Sequence, residues 1–217
     1  MHEIQQAWTA IQFGGPMVYP LLALAVVMMA ILLDKGYVYW RYTRPPRMLL
    51  RLAESQTAHW GELENQVAML SPHHHFARFL QTILQHRHGP AWWAESRAGD
   101  EAQVIEKALG RGLWVLETIV TAAPLLGLLG TISGMMGAFH LIGNKGLVDP
   151  HGVTSGVAQA LVATALGLFI ALIALFGYNF FSRLQSHTLD EMERIGTRLV
   201  DRLRLDAETT EGGHEAA

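Results

Sequence analysis

The chain has 217 residues, of which 50% are hydrophobic and only 16% charged, against about 25% charged in an ordinary soluble domain. Its net charge is −3 and it has no cysteine, which argues against a general nucleic-acid binder and excludes disulfide scaffolds, thiolate metal sites and cysteine nucleophiles. The apolar residues gather in three long stretches almost free of charge, so a disordered chain, a collagen-like chain and an ordinary soluble enzyme are excluded too.

No Asp, Glu, Lys or Arg occurs from Ile4 to Leu33, from Thr118 to Asn144, or from Pro150 to Ser182. A helix needs about 20 mostly apolar residues to cross about 30 Å of hydrocarbon. A buried core helix explains one short run of this kind, but not three long ones in so short a chain. The spacing therefore predicts an all-α integral membrane protein: three transmembrane helices plus a helical cytoplasmic region. The expected segments are an N-terminus at 1–15, span one at 16–34, a polar helical region at 35–112, span two at 113–143, a loop at 144–153, span three at 154–182, a helical extension at 183–205 and a tail at 206–217.

Direction follows from Lys and Arg, which collect on the cytoplasmic side. Ten lie in 34–112 and five in the tail after span three, while the loop between spans two and three holds only Lys145. The N-terminus and that loop are thus expected to face outward and the C-terminus to lie in the cytoplasm. Span one has no basic n-region and is followed by DKGYVYWRY rather than a small-residue cleavage site, so it reads as an uncleaved anchor. Tyr37, Tyr39, Trp40 and Tyr42 read as an aromatic belt at its inner end.

In the polar region, Arg44–Pro45–Pro46 interrupts the first helix. Met48, Leu49, Leu52, Leu63, Val67 and Leu70 mark one amphipathic region, with a break near Gly61. Phe76, Phe79, Leu80, Ile83 and Leu84 mark a second, and Val104, Ile105, Ala108 and Leu109 lead into span two. About 70 residues make a weak independent core, so these helices are expected to pack on each other and on extensions of the spans. His73–His74–His75 follow Pro72 and read as a solvated helix cap, because adjacent histidines do not share one helix face. After span three, Leu184, Thr188, Met192, Ile195, Leu199 and Leu203 form a helical stripe. The final AETTEGGHEAA has little to bury and is expected not to fold.

Spans two and three carry small residues, most of them three or four apart: Ala123, Gly127, Gly130, Thr131, Gly134, Gly137 and Ala138 in one, Gly156, Ala160, Ala163, Thr164, Gly167, Ala171 and Ala174 in the other. In lipid, small residues let backbones approach closely. Thr131 and Thr164 sit on these faces near mid-span, at closely matched depth in an antiparallel hairpin. From spacing alone they are either a polar ring in an oligomer or packing threonines bonded back to their own helices. Pro124 removes the amide that would bond the Val120 carbonyl, which neighbours must resatisfy. Gln159 shares the face of Ala163, and Glu117 and His140 read as interfacial. No acidic residue lies deep in a span, so any proton relay needs a carboxylate from another chain. No nucleophile–base pair, carboxylate dyad or phosphate loop suggests an enzyme.

The run APLLGLLGTISGMMGAF (Ala123–Phe139), with GVAQALVATALGLFIALIALFGYNFF (Gly156–Phe181), resembles the MotA/TolQ/ExbB proton-channel family. Three spans, an outward N-terminus and a large first cytoplasmic loop match the ExbB/TolQ branch; the flagellar stator branch typically has four spans. The resemblance implies an oligomeric bundle, a homopentamer whose second and third helices surround the single helices of ExbD- or TolR-like subunits. It also implies that the membrane is a bacterial inner membrane, with the outward side the periplasm. A membrane aspartate on that partner carries the proton, and the work passes to a TonB- or TolA-like envelope protein. The transported ion is the proton, and no cofactor is implied. Thr131 and Thr164 match the family's pore threonines, and Pro124, Gly127, Gly130 and Gly134 its second-helix motif. With Gln159 they form the expected proton pathway; Pro124, Gly127, Gly130, Gly134, Gly156, Ala160, Ala163 and Gly167 are the expected packing and partner contacts. Several ExbB and TolQ proteins have glutamate where this chain has Gln159, which cannot titrate. The alternative is a non-conducting membrane scaffold, which would keep the small-residue faces without needing the hydroxyls.

Overall fold

The computed structural model describes residues 15–43, 51, 59–143 and 150–215. Among them every regular element is a helix and there is no strand. In chain order these are α1 (Val18–Val38), which runs into a π-helical turn (Tyr39–Thr43), α2 (Trp60–Ala68), α3 (His75–Gln85), α4 (Ala91–Gly110), α5 (Leu113–Gly143) and α6 (Pro150–Glu215). Three helical stretches are long and apolar enough to cross a membrane. α1 alone, with 21 residues, measures about 31 Å at 1.5 Å per residue. The proline break at 44–46, the apolar positions 48, 49 and 52, and the loop at 144–149 lie outside the described residues.

Helix boundaries have local causes. Gly15 and Gly112 are the two described residues with positive φ, at 70° and 84°, a region that a Cβ disfavours. Each sits just before a helix and its carbonyl receives an early bond: Val18 donates to Gly15 at 3.1 Å and Val115 to Gly112 at 3.1 Å. Pro90 precedes α4 and Pro150 opens α6, places where a missing amide costs nothing. α5 continues unbroken through Pro124.

The chain divides into two compact units, Met1–Leu33 with Gly112–Phe181, and Asp34–Arg111 with Ser182–Ala217. In the first, α5 buries Leu113, Leu116, Ile119, Ala123, Gly127, Gly130, Gly134 and Ala138, three or four apart and so on one face. The same unit's part of α6 buries Ala160, Ala163, Gly167, Ile170, Ala171 and Ala174. α1 contributes Val18, Leu21 and Met28.

In the second unit, α3 buries Phe76, Phe79, Leu80, Ile83 and Leu84, the five positions its sequence pattern picks out. Ile105 and Leu109 of α4 are fully buried, whereas Val104 is exposed. Thr188, Met192, Ile195, Leu199 and Leu203 of α6 are buried as the stripe requires. Phe79 lies over Gly196, where a methyl would stand 2.9 Å from the ring. Ion pairs Arg78–Glu101 (2.6 Å), Arg87–Glu64 (3.1 Å) and Arg204–Glu95 (2.7 Å) tie the rims.

Three findings differ from the sequence reading. Tyr39 is buried while Tyr37 and Trp40 are exposed, because the π turn rotates the aromatic run and takes one ring inward. His74 and His75 are buried rather than solvated. They cap and open α3, whose apolar face draws them in. Burial, with Arg78, His74 and Lys35 nearby, pushes the His75 imidazole down to about 4. The backbone also stays helical to Glu215, past position 206, since adding a residue to an existing helix needs no new nucleus.

Candidate functional site

The α5–α6 pair of the first unit is built on direct backbone contact. A methyl placed on Gly127 would meet the Ala163 carbonyl oxygen at 3.1 Å and the Thr164 Cα at 3.1 Å. On Gly134 it would meet the Gly156 oxygen at 3.0 Å, and on Gly167 the Ala123 oxygen at 2.5 Å. Gly130 faces the Ala163 methyl and Gly156 the Ala138 methyl, at 2.5 and 2.8 Å from the same construction. These contacts order the helices antiparallel: Ala123 opposite Gly167, Gly127 opposite Thr164, Gly134 opposite Ala160, Ala138 opposite Gly156. Pro124 lies next to the first of these contacts and is half-buried. A polar atom has no water to turn to at this depth, so a smooth, close seam is what stabilises the pair.

The two threonines flank this seam. Thr164, half-buried, donates its hydroxyl across the helices to the Gly127 carbonyl at 3.0 Å. Thr131 donates back to the Leu128 carbonyl of its own helix at 2.6 Å. The amide of Thr131 is the α-helical partner of that same Gly127 carbonyl. One peptide oxygen therefore links both residues, and their side chains fall within about one helical turn, about 5.4 Å, of the same level. The two hydroxyls differ: Thr131 is bonded back to its own helix, as one of the two readings from spacing has it, and Thr164 crosses to the neighbouring helix of the same chain. Each oxygen keeps its acceptor lone pairs, and giving up a neutral hydrogen bond costs little net. The pair can thus accept a hydrogen bond from a carboxylic acid or turn to donate one to a carboxylate.

Gln159 makes its contact elsewhere, at the start of α1. It is half-buried, and its carboxamide lies against Gly15, on the turn that starts α1. The Met17 Cβ of that turn approaches Gly130, 3.4 Å from a methyl built there. Glu117 is exposed on α5. Thr118 and Thr121 bond back to Trp114 and Thr118, at 2.8 and 3.0 Å. Spacing does not reveal the Gln159–Gly15 contact, because it joins residues far apart in the chain. The one local signal is the GGP sequence at 14–16, which marks a turn.

Lys35 is a second group that sequence reading passed over. It is 2% exposed, and its Nζ donates to the Leu109 carbonyl at 2.7 Å and the Ala108 carbonyl at 3.5 Å. Those oxygens end α4, where carbonyls lack helical partners and the helix dipole favours a cation.

Residues 71–194 match the family described as the MotA/TolQ/ExbB proton channel family. The chain is 28% identical over 189 residues to the putative biopolymer transport protein ExbB-like 1 of Synechocystis, covering 86% of this chain and 74% of that one. It is 32% identical over 181 residues to ExbB-like 3 of the same organism, covering 79% and 82%. Biopolymer transport protein ExbB of Aquifex aeolicus is 41% identical over 91 residues, which is 42% of this chain and 62% of that protein.

Proposed function

The chain belongs to the MotA/TolQ/ExbB proton channel family, and on that premise we propose that it is the membrane subunit that energises a biopolymer-transport complex with the proton-motive force. Several copies, five by family resemblance, surround the single helix of an ExbD/TolR-like partner that brings a membrane aspartate. Thr131 and Thr164 face that carboxyl as it alternates between charged and neutral forms. The work passes to a TonB- or TolA-like protein in the envelope, for TonB-dependent transport or a Tol-type envelope process. The N-terminus lies in the periplasm and the C-terminus in the cytoplasm of the inner membrane.

The observation that carries this reading is the pairing of hydroxyls. Thr164 reaches across the seam to Gly127 and Thr131 sits within about one turn of it, in spans with no Asp or Glu from Thr118 to Asn144 or from Pro150 to Ser182. A lone buried charge in hydrocarbon is costly, and hydroxyl partners lower that cost while the charge is present. The driving force suffices for mechanical work, since one charge crossing 100 mV releases about 2.3 kcal/mol.

The test is proton flux into liposomes holding the chain with its acidic partner. Replacing both Thr131 and Thr164 by valine keeps the volume and removes the hydroxyls. The complex is expected to assemble with flux reduced about 10- to 100-fold, the loss of hydrogen bonds to a charged group. Undiminished flux in that variant would sink the pore role and favour the non-conducting scaffold.

A further inference from the structure

We propose that Gln159 is a positioning residue: its carboxamide seats the Gly15 turn of α1 against the α5–α6 pair and does not itself carry protons. Gly15 holds φ 70°, and a Cβ there would overlap the Gln159 Nε2 and stand 2.6 Å from its Cδ and 3.1 Å from its Cγ. The length of the glutamine side chain thus lies across the glycine. The turn is held from within as well, because the Val18 amide donates to the Gly15 carbonyl at 3.1 Å. Two residues on, the Met17 Cβ approaches Gly130, whose other neighbour is the Ala163 methyl. All three helices of the unit therefore meet at one level. Thr131 follows Gly130 in the chain and Thr164 follows Ala163, so displacing the turn displaces the residues that flank both hydroxyls.

The chemistry of the side chain fits this role. A carboxamide can rest against a peptide at membrane depth without ionising, whereas a carboxylate there would add a charge with no described cation beside it. Only glycine combines the left-handed φ with room for the amide. The contact is a lock between a missing Cβ and a filled space.

The proposal makes a coupled-pair test available on the chain alone in detergent. Thermal midpoints are compared for Gly15→Ala, Gln159→Ala and the double variant. Gly15→Ala is expected to lower the midpoint most for its size. The double variant is expected to lie above the sum of the two losses, because removing the amide makes room for the methyl. Purely additive losses would overturn the contact. The functional arm rests on the proposed proton flux. Gln159→Met, which fills similar space with no proton to exchange, is expected to conduct within about threefold of the parent chain. Gln159→Glu is expected to reduce the amount of assembled complex and leave the pH profile of flux per complex unchanged. A new acidic limb in that profile, or loss of conduction in an assembled Gln159→Met complex, would place the residue on the proton path instead. If the parent chain conducts no protons, the proposed function fails, while the thermal coupling still decides the seat.

Discussion

The α5–α6 seam of the first unit and the core of the second bury opposite kinds of residue. In the first, the buried positions of α5 and α6 around the seam are Ala123, Gly127, Gly130, Gly134, Ala138, Ala160, Ala163 and Gly167, while Leu125, Leu128, Ile132, Phe139, Leu168 and Phe176 are exposed. In the second, Phe76, Leu80, Ile83, Ile105, Leu109, Met192 and Ile195 are buried, and ion pairs hold the rim. The difference follows from the surroundings. Water rewards burial of apolar area at about 25 cal/mol per Å², so large side chains go inside. Lipid offers no such gain, so the seam is given to residues that allow closeness.

The sharpest way to break this contrast is Phe76→Ala in the second unit. It should cost about 3–5 kcal/mol, seen as an early loss of that unit in thermal unfolding. The matching truncation of an exposed leucine in the first unit, Leu125→Ala, should leave the midpoint of the isolated chain unchanged; an equal loss would show that area burial stabilises both units alike.

Next in size is the acid limb of stability set by His75. Its folded value is pushed down to about 4 from 6.5, so between those pH values the unfolded chain binds a proton that the folded chain refuses. Stability is then constant above about pH 6.5, falls as pH drops through the window and has lost its full contribution below about pH 4, on the order of 2–4 kcal/mol in all. His75→Leu should flatten that limb, read as thermal midpoint against pH; an unaltered slope would remove His75 as its source.

Gly167→Ala comes third. Its methyl would press on the Ala123 carbonyl, backbone that cannot rotate away, at a cost of about 1–3 kcal/mol. Gly137, with open space around its Cα, should accept alanine with no loss in the same assay, and equal costs at both positions would refute the seam. The smallest effect belongs to the Arg204–Glu95 pair on the second unit's surface, with half-exposed side chains. Its double-mutant coupling should fall below about 1 kcal/mol and fade with salt.

Much of this could be read from residue spacing. The apolar stripe of α3, the stripe of α6 from Thr188 to Leu203 and the small-residue faces of α5 and α6 are periodic, and periodicity survives folding. What spacing could not carry is side-chain reach between distant segments. Nothing near Lys35 in the chain shows that its ammonium ends on the carbonyls of α4, and nothing near Gln159 points to Gly15. His74 and His75 look like a polar cap until α3 draws them inward. The two threonines look equivalent, yet one hydroxyl turns back to its own helix and the other crosses to the next.

The crowding of peptide on peptide between α5 and α6 has a mechanical consequence. Glycine and alanine have no rotamers to release, so this contact has no side-chain slack through which to soften. Its remaining freedom is the sliding or tilting of whole rods. A load applied to one helix of the pair is therefore passed to the other with little loss in side-chain rearrangement.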